Sequence, residues 1–464
     1  MAIVSQVAEN EKMETEGSVA AFFREFQIGK LLKKCLAEKQ KGCSALSVFM
    51  YIFCQLFSDR SMYMQLKLKR WAEDFQKDTV YRFLSHGRTN WERFTSELSA
   101  KVVEKLRPLT DETRKDVFII DDSLYERAGF KKTELAARVF DHVGMRYTRG
   151  YRMLTLGWSD GNSFVPISHR LLGSSKAENQ LGPIKETDLR SNAGKRRKQA
   201  VSKATEVMIS LVKSAQEAGH RAKYVLFDSW FSSPKCLMDM KTNCSMDSIA
   251  MVKKSSKIRY RYGGELKNIK QIFASCRKRP GRSRYLLSVT VDIVVKDGET
   301  EHSMPAKIVC VRNRNDRKDW LAILSTDTTL SEDEIIRIYG KRWDIEVFFK
   351  VCKSMLKLRT ECHSLSYDSL TAHVSIVFAR YMLLSLQQRR NTDERSLGEL
   401  LLLITDELAD ITFSHALQLI VDVLLTSVSE LFHLTADQLA QLTETFFSKL
   451  PTAYQHLLRP QTAA

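Results

Sequence analysis

The sequence predicts an α/β protein in which a sheet carries acidic residues at one edge and helical segments precede and follow it. Two runs of β-branched and aromatic residues end in aspartate, at Asp116–Ser123 and Ala222–Asp228, and have the composition of buried strands. Apolar residues recur at helical spacing over 1–110 and 376–464. Residues 251–318 are strongly basic, so we expect an inserted segment there.

Length and charge narrow the class of protein. The chain has 464 residues, more than one hydrophobic core usually organises. Its 72 Lys and Arg against 55 Asp and Glu leave a net charge of +17, which favours nucleic acid over a membrane surface as partner. Nine cysteines without a Cys-x-x-Cys pair predict reduced thiols in a cytoplasmic protein and no structural zinc. The first residues carry no signal-peptide pattern.

We interpret residues 1–110 as a helical, DNA-binding N-terminal domain. The short segment Lys77–Arg88 follows a predicted packed helix and has Tyr81 and Arg82 near its start. Such a helix could enter a DNA groove in helix-turn-helix fashion. Alternatively, it only packs against its neighbours.

Residues 111–250 contain strands and helices in the order of a ribonuclease-H-like core, with three strands followed by helix, strand, helix and strand. We expect this to be the first part of the catalytic core. A polar stretch before the first helix predicts a loop. The predicted elements are the strands Asp116–Ser123, Met153–Trp158, Ser163–His169, Ala222–Asp228 and Ser248–Val252, the polar stretch Gly173–Lys198, and a basic helix at Lys198–Ala218.

Residues 251–318 form the predicted β-rich insertion. Its first forty residues hold twelve Lys and Arg against one acid, Glu265, with Tyr and Phe interleaved. A surface that follows a phosphate backbone and stacks on bases has this composition, although most basic runs are only solvated. The candidate DNA contacts here are Arg277, Lys278 and Arg279.

Residues 319–375 complete the predicted core with a strand, a helix start and a polar stripe. Ser331 and Glu334 form a capping box that begins the helical region. One face of this largely apolar region collects Tyr339, Arg342, Glu346, Lys350 and Lys353. The stripe predicts a buried helix that brings one carboxylate and several cations to a charged substrate. The alternatives are a surface helix with i,i+4 ion pairs, and a break at Gly340 that separates Tyr339 from the others.

Carboxylates at neighbouring strand ends predict a metal site. Adjacent strands lie about 4.8 Å apart, so Asp122 and Asp228 could share a hard cation, which Glu346 would help to hold. Two such ions activate a water or a 3′-hydroxyl and stabilise the leaving oxygen of a phosphodiester. Because side chains alternate along a strand, Asp121 remains a rival to Asp122.

At these residues the chain resembles the DDE-class cut-and-paste transposases of bacterial insertion sequences. Tyr339, Arg342, Glu346 and Lys353 fit the Tyr-x2-Arg-x3-Glu-x6-Lys signature of one subgroup. A hydrophobic strand leading into Asp-Asp-Ser and the segment Val-Leu-Phe-Asp match as well. The resemblance runs from about Asp116 to Leu358.

The resemblance implies roles for particular residues. Asp122, Asp228 and Glu346 would hold two Mg²⁺ ions, for which Mn²⁺ can substitute, and Asp122 is preferred over Asp121 because it directly precedes Ser. The phosphates of the element's ends would be held by Tyr339, Arg342 and Lys353. Trp320 would stack on a flipped base, unless it is a core tryptophan.

The sequence therefore predicts a metal-dependent DNA transposase that cuts element ends and joins them to target DNA, either directly or through a hairpin. The resemblance further implies a homodimer on double-stranded DNA. We expect residues 376–464, acidic from Ser396 onward, to form a helical C-terminal domain for packing or dimerisation. Two alternatives are a DNA-binding repressor without cleavage activity and a structure-specific nuclease without strand transfer.

Overall fold

The computed structural model describes residues 17–35, 42–58, 61–68, 73–110, 114–141, 144–280, 283–313, 316, 318–390 and 396–450. Two compact units divide the chain: one consists of residues 26–397, and the other of residues 1–25 and 398–464. The start of the chain, where no signal peptide is predicted, and the last residues of the predicted C-terminal domain lie outside the described ranges. None of the nine cysteines forms a disulfide bond, and all nine lie in the described ranges.

The helices and strands of the described ranges have the following bounds. The strands are β1 Val117–Glu126, β2 Ala137–Asp141, β3 Arg146–Ser159, β4 Phe164–Leu172, β5 Tyr224–Phe227, β6 Asp247–Met251, β7 Tyr260–Tyr262, β8 Glu265–Lys267, β9 Leu287–Asp297, β10 Thr300–Arg312 and β11 Trp320–Ser325. The helices are α1 Ser18–Glu25, α2 Ile28–Lys34, α3 Ala45–Cys54, α4 Met62–Lys67, α5 Lys77–Leu84, α6 Trp91–Leu106, α7 Asn192–Ala200, α8 Ala204–Glu217, α9 Pro234–Cys244, α10 Ile269–Ser275, α11 Glu332–Gly340, α12 Trp343–Ser354, α13 Tyr367–Arg390, α14 Leu397–Phe432 and α15 Ala436–Lys449.

One mixed sheet organises the larger unit. Its order is β2-β3-β1-β5-β6-β11-β10-β9-β7-β8, and β4 pairs with β3. Strands β1, β3 and β4 are antiparallel, whereas β5 runs parallel to both β1 and β6. Helices α7 and α8 connect β4 to β5, and α9 connects β5 to β6. This order and these directions are consistent with the predicted ribonuclease-H-like core.

The predicted insertion continues the core sheet. Strand β11 pairs with β6 on one side and with β10 on the other. Beyond β10, the antiparallel strands β9, β7 and β8 extend the sheet, with α10 following β8. The segment therefore extends the core sheet beyond β11, and β6 and β11 lie between it and β5.

Helix α13 is the central helix of the larger unit and packs on β4 and α6. It is the one helix in the described ranges that is long and apolar enough to cross a membrane, and the apolar stretch concerned is entirely buried inside this unit. The boundary predicted between residues 375 and 376 falls within this helix. In the smaller unit, α1 contacts α14, where the Ser18 amide donates to Glu407 Oε1 at 2.6 Å.

The connection between β4 and β5 differs from the prediction. The basic helix predicted at Lys198–Ala218 is two helices, α7 and α8, and α7 begins inside the stretch predicted to be a loop. Ser191 caps α7 by accepting a hydrogen bond from the Gly194 amide at 3.0 Å. Arg196 and Arg197 are buried, because they pair with acids from distant parts of the chain.

Candidate active site

Asp121 and Asp228 lie at the same level of the sheet. Ile120 of β1 is paired with Phe227 of β5 in a parallel register, and each is followed directly by one of the two aspartates. Partners at one level of parallel strands point to the same face. The two aspartates therefore lie on one face of the sheet, just beyond the last pair of β1 with β5 and close to the metal site that the sequence predicts.

Asp121, and not the predicted Asp122, faces the helix that carries Glu346. Asp121 Oδ2 lies 2.8 Å from Arg342 Nη1. Asp122 instead pairs with Arg152 of β3, since successive side chains of a strand point to opposite faces. The geometry thus favours Asp121 over Asp122, whose preference rested on the residue that follows it in the chain.

Arg342 joins Asp121 to Glu346 across a break between two helices. Helix α11 ends at Gly340 and α12 begins at Trp343, so Tyr339 and Glu346 lie on different helices. Arg342 stands between them, with Nη2 3.0 Å from Glu346 Oε1. The Arg342–Glu346 ion pair of the surface-helix alternative is therefore present, but its arginine also binds an aspartate of β1.

Helix α12 is buried on one side only. Ile345, Phe348 and Cys352 are buried, and Ser159 Oγ donates a hydrogen bond to Asp344 Oδ2 at 2.5 Å. Trp343, by contrast, is 64% exposed. The expectation of a helix buried nearly all round is thus wrong, because Trp343 and Val347 present apolar side chains to solvent.

Burial and neighbouring charge alter the protonation of the site. Burial raises the pKa of Asp121 to about 7; Arg342 opposes this rise, whereas Asp122 and Asp228 add to it. Burial also lowers the pKa of the Lys353 ammonium, and the nearby carboxylates of Asp141 and Glu346 act against that shift. The positive charge of Arg342 is thus too small to offset the effect of burial on the pKa of Asp121.

Tyr339 and Lys353 border this cluster. Tyr339 is buried, and burial raises the pKa of its hydroxyl, with Arg342, Asp228 and Asp121 as its charged neighbours. Lys353 lies on α12, two turns after Glu346. The structure therefore brings together Asp121, Asp228, Tyr339, Arg342, Glu346 and Lys353, and it leaves Asp122 on the other face of the sheet.

The chemistry of the donor atoms suits a divalent cation. With the side chains as they stand, no group of three His, Cys, Asp or Glu in the described ranges is arranged to hold an ion, and Glu346 binds Arg342 instead. The carboxylates of Asp121, Asp228 and Glu346 are nevertheless the oxygen ligands that Mg²⁺ and Mn²⁺ prefer. Burial raises the pKa of Asp121 despite Arg342, and a bound cation would lower that pKa.

Trp320 lies in an aromatic stack at the start of β11. Its ring is parallel to that of Phe273, with centroids 4.1 Å apart, and Lys254 Nζ lies 4.3 Å from the ring centroid. Lys278 Nζ in turn lies 4.8 Å from the Phe273 centroid. Trp320 therefore already contacts an aromatic ring and a cation, and both partners belong to the insertion rather than to the core.

The three cations predicted to contact DNA lie on the surface of the insertion. Arg277, Lys278 and Arg279 are exposed. Arg279 lies over Tyr285, with its guanidinium carbon 4.2 Å from the ring centroid. In the N-terminal helices, Tyr81 and Arg82 of α5 are exposed as well, so the surface that the groove-binding hypothesis requires is available.

Sequence reasoning missed one exposed aromatic residue close to Asp228. Trp230 follows Asp228 by two positions and is 48% exposed. Lys253 Nζ lies 4.1 Å from its ring centroid. An aromatic residue so close to a strand-end aspartate was a signal that the sequence already contained.

A mixed sheet with this strand order and with Asp121 and Asp228 on one face is consistent with an enzyme of nucleic acid chemistry. The sequence model of the DDE superfamily endonuclease family matches residues 59–309, which is more than half of the chain. The chain therefore belongs to this family of DDE-type nucleases and transposases. The matched part includes Asp121 and Asp228 and ends before Glu346. No curated protein matches the chain.

Proposed function

We propose that this protein is a cut-and-paste transposase of an insertion sequence, of the subgroup with the Tyr-x2-Arg-x3-Glu-x6-Lys signature. It would cleave DNA at the ends of the element and join them to target DNA. The observation that carries the proposal is the contact of Arg342 with both Asp121 and Glu346. It joins an acid of β1, inside the region that the family model matches, to the helix that carries Glu346.

In this proposal Asp121, Asp228 and Glu346 hold two Mg²⁺ ions, for which Mn²⁺ can substitute. When bound, the ions supply activation of a water or 3′-hydroxyl and stabilisation of the leaving oxygen. Glu346 is about 40% exposed, so its side chain has room to turn from Arg342 towards the sheet. Arg342 would then become available to a DNA phosphate, together with Tyr339 and Lys353.

We further propose that the protein acts in the bacterial cytoplasm as a homodimer that holds two DNA ends, with a hairpin as a possible intermediate. The smaller unit exposes several large apolar side chains along α14, as a self-associating helix would. They are Leu402, Leu403, Ile420, Val423, Leu424, Leu431 and Phe432.

Cleavage of a plasmid that carries the element's ends tests the proposal. In Mg²⁺, the wild type should cut and join the ends, whereas Asp121→Asn and Glu346→Gln should bind DNA and lose at least about 100-fold in rate, as ligand loss in metal enzymes commonly does. The matched control is Asp122→Asn, which removes the same charge from the opposite face of β1 and should stay within a few-fold of the wild type.

The products separate the transposase from its alternatives. Cut ends without joined products would indicate a nuclease that lacks strand transfer, which the family description as an endonuclease equally fits. Binding without any cleavage by the wild type would indicate a repressor. Equal cleavage by the wild type and Glu346→Gln would remove Glu346 from the site.

A further inference from the structure

Trp230 projects from the turn that follows β5, and hydrogen bonds hold this turn in place. The Phe231 amide donates to the Asp228 carbonyl at 3.1 Å, and Ser232 Oγ donates to the Ser229 carbonyl at 3.2 Å. Phe231 and Ser232 are buried. Since the neighbours on its C-terminal side are held inside the protein, the large exposed surface of Trp230 follows from the turn itself and not from a loose segment.

Lys253 reaches the same place from the neighbouring strand. Phe227, the last residue of β5, is paired with Ala250 of β6, and Trp230 and Lys253 each follow this pair three residues later. Two peptide units separate Trp230 from Asp228, which limits the distance between their Cα atoms to about 7.6 Å. The backbone that carries the ring is therefore close to the backbone of a proposed metal ligand, and the Lys253 ammonium lies on that ring.

A second set of stacked cations and aromatic rings begins one residue later in the chain. Lys254 Nζ lies 4.3 Å from the ring centroid of Trp320, and this ring stacks on Phe273. Lys278 lies over Phe273 and belongs to the exposed cations of the insertion. Trp320 thus already contacts a ring and a cation, whereas Trp230 is about half exposed.

We propose that Trp230 and Lys253 form a stacking site for an unpaired base of the DNA strand next to the phosphodiester that is cut. The inference rests on the proposed function, because that function places DNA beside Asp228. Exposed aromatic rings stack on bases of any sequence, and adjacent cations hold the backbone. The nearby lysines, Lys253, Lys254 and Lys278, favour DNA over a protein partner.

The experiment compares two probes in EDTA, where no cleavage occurs. One is a blunt DNA duplex, and the other is the same duplex with a short single-stranded overhang that contains 2-aminopurine. Trp230→Ala should weaken binding of the overhang probe at least about fivefold, the loss expected from one base–aromatic stack, and should leave the blunt duplex unaffected. Quenching of 2-aminopurine should be lost as well, whereas Trp230→Phe should retain most of both signals.

Tyr147 provides the matched control, because it is also exposed and Arg138 lies 4.2 Å from its ring centroid. It stands eight residues along β3 from Thr155, the partner of Asp121, roughly 26 Å away at 3.3 Å per residue. Tyr147→Ala should change neither probe. Melting temperatures near the wild-type value would show that the variants fold.

The inference is overturned if Trp230→Ala binds both probes like the wild type, as it would if the ring served a protein partner. It is equally overturned if both probes weaken alike or if Tyr147→Ala has the same effect. Failure of the proposed function looks different: the wild type would not cut DNA in Mg²⁺, whatever the behaviour of Trp230.

Discussion

Two clusters of arginines and acids in the larger unit differ in how many arginines neutralise each acid. The first, which we call the arginine network, consists of Arg196, Arg197, Glu134 and Asp368. Arg197 binds both oxygens of Glu134, at 2.7 and 3.0 Å, and also Asp368 at 2.9 Å. Arg196 binds Asp368 at 2.6 Å. Each acid of this cluster thus has an arginine of its own.

In the candidate active site, Asp121 and Glu346 share Arg342, and Asp228 adds a further negative charge. Burial raises the pKa of Asp368, but the two guanidiniums outweigh it and hold that pKa below its ordinary value. Burial raises the pKa of Asp121 to about 7, and Arg342 does not offset it. Matched charges are typical of a structural cluster, and an excess of acid is what the proposed cation site requires.

The largest effect is expected from removing an arginine of the network. Arg197→Met leaves Glu134 and Asp368, each 8% exposed, with fewer partners, and should lower the free energy of unfolding by about 3–5 kcal/mol. Arg342→Met should cost about 1 kcal/mol or less, because Asp121 can take up a proton near neutral pH and Glu346 reaches solvent. Urea unfolding measures both, and equal losses would erase the distinction between the clusters.

The pH dependence of stability should have opposite signs in the two clusters. The pKa of Asp121 is about 7 in the folded protein and about 3.9 in an unfolded chain. The folded state therefore binds the extra proton between about pH 4 and pH 7, and stability falls as pH rises through that window. Asp121→Asn removes this loss, so in EDTA the variant should be more stable than the wild type at pH 8 and equal to it near pH 4.

Asp368→Asn provides the contrast. Because the folded pKa of Asp368 is lowered, its carboxylate contributes stability above about pH 4 that is lost as pH falls through the folded value. This variant should be less stable than the wild type at pH 8, and the difference should shrink in acid. Melting temperatures at pH 8, 6 and 4 test the sign for Asp121, and a further measurement below pH 4 tests it for Asp368; a parallel response of the two variants would contradict the account.

The smallest effect is expected at the exposed cations of the insertion, which have no buried charge to match. Replacing Arg277, Lys278 and Arg279 with Ala should weaken DNA binding and flatten its dependence on salt. The logarithmic slope should fall by about 0.9 for each DNA phosphate that these cations neutralise in the wild type. Fluorescence anisotropy at several salt concentrations measures the slope.

The matched control for the insertion removes three exposed lysines elsewhere, Lys176, Lys185 and Lys195. It should leave the slope nearly unchanged. A slope that the insertion variant shares with the wild type would count against phosphate binding by Arg277, Lys278 and Arg279.

What the sequence predicts well depends on local pattern. The strand that leads into Asp121 and the strand that leads into Asp228 are uniform apolar runs, and Ser331 with Glu334 marks the start of α11 by a capping box that the structure contains. The polar stripe likewise led to Arg342 and Glu346, because helical spacing alone places these two residues together.

What the sequence could not predict depends on distant partners. The choice between Asp121 and Asp122 is decided by the face of the sheet on which α12 packs, and no local pattern records it. Helix α7 looked like a polar loop because the acids that neutralise Arg197 lie 63 and 171 residues away in the chain. Trp320 was expected at a base, and its ring partner Phe273 could be found only once the insertion was folded against β11.

Binding of Mn²⁺ tests the central claim most directly, since it needs neither a DNA sequence nor turnover. Electron paramagnetic resonance of the free ion measures binding to the wild type and to the two neighbouring variants, Asp121→Asn and Asp122→Asn. We expect the wild type and Asp122→Asn to bind alike and Asp121→Asn to bind at least about tenfold more weakly. Undiminished binding by Asp121→Asn, or a loss confined to Asp122→Asn, would contradict the assignment of the site.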